Sequence, residues 1–206
     1  MTVPGWILNN WIEIFGAVTG IVYVFLEIKQ NLWLWPVGIV TSAVYVWIFL
    51  HGKLYADMSL QCYYLLISVA GWYWWMRGRT RRRRDEETER QDEGERHELR
   101  VTRIKPRLAL ILLAVFAGLY VSMFFVLGSF TDSPVPGFDA FITSLSIIAT
   151  WMLARKIYEH WFLWIIVNLT ATGLFLYRGL YPTVVLYAVY CSMSFSGLRE
   201  WRKSLG

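Results

Sequence analysis

The chain has 206 residues, 56% of them hydrophobic and 17% aromatic, with a formal net charge of +5. That composition excludes a soluble globular domain, and the two cysteines, Cys62 and Cys191, sit inside apolar runs, which excludes a disulfide framework or a cysteine metal site. The surplus charge is no nucleic-acid signal, because 12 of the 20 Lys and Arg lie between Arg77 and Arg107, where they mark topology.

Seven apolar stretches approach the ~20 residues that a bilayer core requires: 10–28, 32–50, 56–76, 107–128, 137–154, 161–177 and 181–198. No basic segment with a cleavage site opens the chain, so no removable signal peptide is expected. The first stretch carries Glu13 and Glu27 near its ends, where both can reach headgroups. The second opens with LWLWP, and Pro36 is tolerated because a first-turn proline gives up a donor that has no partner anyway.

The third stretch contains Asp57–Trp75, in which Asp57, Gln61, Tyr64, Ser68, Gly71 and Trp75 advance by four, three, four, three and four. That spacing is one face of a helix. A polar and aromatic stripe on a greasy helix is stable in a bilayer only against protein or a water-filled cavity. Trp75 lies at a membrane end and suits an interfacial belt.

Residues 77–106 are charge-dense, with only Leu99, Val101 and Ile104 apolar. They read as a solvated helix or linker on the membrane surface, with a basic run that attracts anionic lipid. The fourth stretch has few polar groups beyond Tyr120 and Ser122 and behaves as a connector. The fifth carries Thr143, Ser144, Ser146 and Thr150, small polar groups that suit close helix contact. In the sixth, Trp161, Trp164 and Asn168 share a face at i, i+3 and i+7. Glu159, just before it, reads as a surface group in a position to gate.

The seventh stretch repeats the third. A shift of 126 positions carries Tyr55, Tyr64, Ser68, Gly71 and Trp75 onto Tyr181, Tyr190, Ser194, Gly197 and Trp201. Thr183, Tyr187, Tyr190, Ser194, Gly197 and Trp201 form the matching stripe. The glycines suit helix contact, and Trp201, like Trp75, suits a belt. Leu34-Trp35 and Leu163-Trp164 correspond at a shift of 129, which implies a small loop difference between the halves.

The expected architecture is an all-α membrane protein of seven transmembrane helices. Residues 1–76 form a first three-helix bundle, 77–106 a charged cytoplasmic linker, 107–128 a connector helix and 129–206 a second bundle. One connector span gives the halves the same orientation, the parallel-repeat class of transporter. The Lys and Arg distribution places the linker and the C-terminus inside and the N-terminus outside.

No catalytic or metal motif is present: His51, His97 and His160 lie at span ends or in the linker without a second ligand at metal spacing, and no phosphate loop or nucleophile elbow occurs. No cofactor and no enzymatic activity are expected. Carboxylates are few and peripheral, which favours facilitated diffusion over ion coupling. A pocket rich in Trp, Tyr, Gln and Asn suits a flat heteroaromatic ring, neutral or cationic, with polar substituents. Phosphate is disfavoured, because no inward Lys or Arg lies in the middle of any span.

The segments LQCYYLLISVAGWYWW and RKIYEHWFLWIIVNLTATGLFLYRGLYPTVVLYAVYCSMSFSGLREW resemble the two halves of the PnuC family of vitamin-precursor transporters. The GWYxW ending and the W-x-x-W-x-x-x-N run carry the resemblance. It implies a SWEET-like pair of three-helix bundles joined by a connector. It also implies uptake of nicotinamide riboside by facilitated diffusion across a bacterial inner membrane, trapping by a cytoplasmic kinase, and a homotrimer. Carried onto this sequence, the substrate site comprises Gln61, Tyr64, Trp72, Trp75, Trp161, Trp164, Asn168, Tyr187 and Tyr190. The amides would hold ribose hydroxyls or the carboxamide, and the aromatics would sandwich the ring. The LWLWPVG segment departs from the nicotinamide riboside pattern, so thiamine, or riboflavin as in other relatives, remains an alternative substrate. A sugar uniporter and a non-transporting membrane scaffold that docks a partner on the linker are competing readings.

Overall fold

A computed structural model describes residues 11–51, 55–88, 100–130 and 134–205. Gly52, Lys53, His97 and Leu99, and the side chains of Glu13 and Asp57, lie outside the described residues. The described residues form α1 (Trp11–Ile28), α2 (Leu34–His51), α3 (Tyr55–Thr88), α4 (Pro106–Phe130), α5 (Pro136–Ala154), α6 (His160–Tyr177) and α7 (Tyr181–Arg202). Four of these, α2, α4, α5 and α6, are long and apolar enough to cross a membrane. The stripe helices α3 and α7 are not in that set, because their polar faces and charged ends lower the mean hydropathy. The third helix also outruns its expected end, so that Arg77 to Thr88 of the linker continue it.

Two compact units, Met1–Tyr73 and Trp74–Gly206, divide the chain within α3. In the first, α1 packs on α2 and α2 on α3 through glycines. A Cβ at Gly16 would overlap the Tyr45 hydroxyl, and one at Gly71 would overlap the Trp35 ring. Trp35 is accordingly fully buried. Glu27 corrects its expected placement at the headgroups: it is 1% exposed, enclosed by protein near Tyr23.

The second unit runs α4, α5, α6 and α7 in sequence, each packed on the next. α4 lays Leu108, Leu112, Phe116 and Leu119 against Ile148, Met152 and Ile157, a spacing of four, four and three that uses one helical face. Its other faces present Leu110, Leu113 and Phe125 outward, the surface a lipid-facing helix needs. The small polar residues of α5 serve close contact: Ser144, Ser146 and Thr150 are buried, and the last two return their hydroxyls to backbone carbonyls one turn back.

The linker's last residues are docked rather than solvated. The Thr102 amide donates to the Lys156 carbonyl at 3.0 Å and the Tyr158 amide to the Thr102 carbonyl at 2.9 Å. Val101 pairs with Leu205 and is buried, and Ile104 packs on the α4–α5 core. Glu159 is no free surface group either, since its Oε2 accepts the Ile104 amide at 2.9 Å.

The α1–α2 turn and the α5–α6 turn are the same turn at a constant offset of 126. Gln30 and Lys156 both take the left-handed conformation, with φ of 48° and 53°. Each amide donates three residues back, Gln30 to Glu27 and Lys156 to Leu153, and the following amides, Asn31 and Ile157, reach Leu26 and Met152. The bonds Leu34 to Asn31 and Trp35 to Leu32 recur as His160 to Ile157 and Trp161 to Tyr158. Trp35 therefore corresponds to Trp161, not to Trp164. The expected offset of 129 and its loop gap came from a chance Leu-Trp pair.

Candidate functional site

The face of α6 expected to bind substrate is a row of buried hydrogen-bonding groups. Trp161 and Asn168 are buried, and the indole Nε1 atoms of Trp161 and Trp164 are enclosed with no hydrogen-bond partner among the described residues. A buried N–H left unmet costs about 1–3 kcal/mol, so two of them on adjacent turns are groups poised for acceptors. One turn further, the Asn168 amide donates from Nδ2 to Ser194 Oγ on α7 at 3.1 Å. The Ser194 hydroxyl in turn donates a hydrogen bond to the Tyr190 carbonyl at 2.8 Å. The chain Asn168–Ser194–Tyr190 fixes the side-chain amide, and no hydrogen bond to its Oδ1 is seen among the described residues.

Beside this row, Tyr187 stands 5.8 Å from Tyr190 and 5.2 Å from Phe175, centroid to centroid. In the first unit, Gln61 and Trp72 are half-buried on α3. Tyr64 is also half-buried, with Tyr63 at 5.6 Å and Tyr23 close by. The structure thus groups Trp161, Trp164 and Asn168 with the α7 tyrosines in one unit, and Gln61, Tyr64 and Trp72 on one helix of the other.

Trp75 and Trp161 belong to an aromatic cluster at one end of the second unit. His160, fully buried, lies 4.7 Å from Trp161 and 4.6 Å from Trp201, and Trp161 and Trp201 are 5.9 Å apart in an edge contact. Trp75 meets Trp201 at 6.5 Å and carries the Lys156 ammonium over its ring at 4.5 Å; Arg155 sits over Trp74 at 5.1 Å. A Cβ at Gly197 would overlap the Trp161 ring. The expected belt positions of Trp75 and Trp201 are therefore packed inside the protein. The ring of Trp161 is walled by Gly197 and His160.

Sequence reasoning missed Tyr23, Glu27 and His160 as inward-facing groups. The signal that finds them is the 126-residue register carried back through the first two helices of each half, where Glu27 and Leu34 match Leu153 and His160. All four are buried. Among the described residues, no group of three His, Cys, Asp or Glu could hold a metal ion.

The chain is similar over most of its length to transporters. The riboflavin/roseoflavin transporter RibM of Streptomyces davaonensis is 27% identical over 93% of this chain and 84% of its own length. The nicotinamide riboside transporter PnuC of Escherichia coli is 23% identical over 95% and 86%, and that of Neisseria mucosa 23% over 95% and 73%. A crystal structure of the vitamin B3 transporter PnuC shares the fold, with a TM-score of 0.69 at 22% identity over 95% of this chain and 82% of that one. These matches are named for transport and not for catalysis. The family model described as nicotinamide mononucleotide transporter aligns with residues 10–203, and the chain belongs to that family, the PnuC family.

Proposed function

We propose that the protein is a uniporter for nicotinamide riboside in a bacterial inner membrane. The observation that carries this reading is the α6 face, where two buried indole N–H groups and a fixed side-chain amide lie one turn apart. Such a row suits a ligand with several hydroxyl or carbonyl acceptors, and the tyrosines on α7 and α3 suit a flat ring beside it. Nicotinamide riboside offers the ring, its positive charge, a carboxamide and ribose hydroxyls. The relatives named for that substrate support the choice. The absence of Lys and Arg from the middle of all seven apolar stretches argues against the phosphorylated nucleotide.

Around this site the reading has seven spans, α1 to α7, with α4 joining two like-oriented three-helix bundles in a SWEET-like arrangement. The bond-for-bond recurrence of the α1–α2 turn as the α5–α6 turn supports a structural repeat, and a single connector span is what makes a repeat parallel. The N-terminus lies outside and the C-terminus inside, as the Lys and Arg distribution requires. Access alternates by rocking of the bundles about the site. Phosphorylation by a cytoplasmic kinase makes uptake one-way, and the working unit is a homotrimer. Gln61, Tyr64, Trp72, Tyr187 and Tyr190 line the site with Trp164 and Asn168. Trp161 contributes its N–H, and Trp75 holds the packing beneath it.

A second reading, riboflavin transport, is favoured by the similarity to RibM. The test is binding and equilibration of labelled nicotinamide riboside and riboflavin by the purified chain in liposomes. Uptake of nicotinamide riboside, lost in Trp164→Ala and Asn168→Ala but kept when residues 80–100 are deleted, is expected. No binding of either vitamin, or uptake that depends on the linker and not on α6, contradicts the reading.

A further inference from the structure

We propose that Tyr23 is the first unit's substrate-contacting aromatic, standing where Trp164 stands in the second. The inference rests on the reading of α6 as a binding face. In the common register, the α6 row Trp161, Trp164 and Asn168 corresponds to Trp35, Gly38 and Ser42 on α2. Trp35 and Trp161 share one environment, each laid over a glycine of the third helix of its half. Ser42 and Asn168 are both buried. The middle position differs: the first half has no side chain where the second has an indole.

The space is nevertheless filled. A Cβ built at Gly38 would stand 3.1 Å from Cε2 of Tyr23 and 2.9 Å from Oγ of Ser68. The Tyr23 ring therefore lies across the α2 face at the point where an α2 side chain would emerge, beside the serine that matches Ser194. Tyr23 itself corresponds to Ala149, which is fully buried and offers only a methyl group. The two halves have exchanged a large residue and a small one: Tyr23 with Gly38 in one, Ala149 with Trp164 in the other. Each half keeps one aromatic ring with one hydrogen-bonding group at this pair of matched positions, supplied by its first helix in one case and by its second in the other.

The surroundings give this ring a functional setting. Tyr23 lies within electrostatic range of Glu27, Tyr63 and Tyr64, and Tyr64 is an expected site residue. The buried Glu27 lies one turn along α1 from Tyr23. An aromatic face is the chemistry that holds a cationic ring. Tyr23 thus offers a flat, positively charged ligand a ring face and a hydroxyl from the first unit.

The test is a binding isotherm of the purified full-length chain with nicotinamide riboside, with folding followed by thermal unfolding. Tyr23→Phe, which keeps the packing, is expected to weaken binding about three- to tenfold by loss of one hydrogen bond. Tyr23→Ala is expected to weaken it further. The double variant Tyr23→Ala with Gly38→Trp, which moves the aromatic to the helix that carries it in the second half, is expected to recover most of the affinity lost in Tyr23→Ala. Should Tyr23→Ala not fold, the Tyr23→Phe isotherm and that of the double variant carry the test. Wild-type affinity in Tyr23→Phe and Tyr23→Ala, with Trp164→Ala impaired, overturns the role of Tyr23 and leaves the α6 site standing. Wild-type affinity in the Tyr23 variants and in Trp164→Ala alike overturns both.

Discussion

The α1–α2 and α5–α6 hairpins fold alike and are finished differently. Both turn through a left-handed residue, Gln30 or Lys156, and both send a tryptophan into the gap over a glycine on the third helix of their half. Yet the buried titratable group is Glu27 on the first helix of one and His160 on the second helix of the other. The second hairpin is tied to further chain, through the strap at Val101–Ile104 and the cations over Trp74 and Trp75. The difference teaches that the duplicated parts are those that set backbone geometry, whereas the side chains between them are left free to diverge.

The largest effects test the shared part. Trp35→Ala and Trp161→Ala should each destabilise by about 3–5 kcal/mol, the cost of emptying a buried indole site, measured by denaturant unfolding in detergent. Gly71→Ala and Gly197→Ala should each cost about 1–3 kcal/mol by overpacking. Unequal losses at matched positions would break the equivalence. Asn168→Ala should weaken substrate binding by about 1–3 kcal/mol, since it removes the amide and strands Ser194, whereas Ser42→Ala at the matching position should change it by less; titration calorimetry reads both.

Glu159→Ala should release the strap, at a cost of about 1 kcal/mol for one part-buried hydrogen bond. Faster amide exchange over residues 101–104 is the readout. The smallest effect lies in the turns. Gln30→Gly should stabilise by about 1 kcal/mol by relieving the left-handed backbone. Lys156→Gly should gain less, because it also gives up the cation over Trp75, worth about 0.5–1 kcal/mol. Equal gains would mean that this contact contributes nothing.

The helices were legible in the sequence because apolar runs bounded by Pro36, Pro136 and Pro182 leave little choice of element. The third-helix stripe was legible because Tyr, Ser, Gly and Trp recur at matched spacing. The register of the first two helices was not. Leu34-Trp35 matches Leu163-Trp164 letter for letter, and only the turn's hydrogen bonds and the Trp–Gly contacts reveal that Trp161 is the true counterpart of Trp35. Glu27 was placed at the headgroups because a glutamate near a span end has that option; enclosure by α1's neighbours is a tertiary fact. Trp75 and Trp201 looked like belt residues because the composition of an interfacial belt and of a packed aromatic cluster is the same. Val101 and Ile104 were lost among charges, since a two-residue anchor carries no periodicity.

The central claim is that the indole N–H of Trp164 meets an acceptor on nicotinamide riboside. Trp164→Phe keeps an aromatic ring at that position and removes the donor, so a calorimetric titration of this variant beside the wild type tests the claim most directly. The account predicts binding about tenfold weaker, the equivalent of one hydrogen bond, with thermal unfolding little changed. Equal affinity in the two proteins would contradict it.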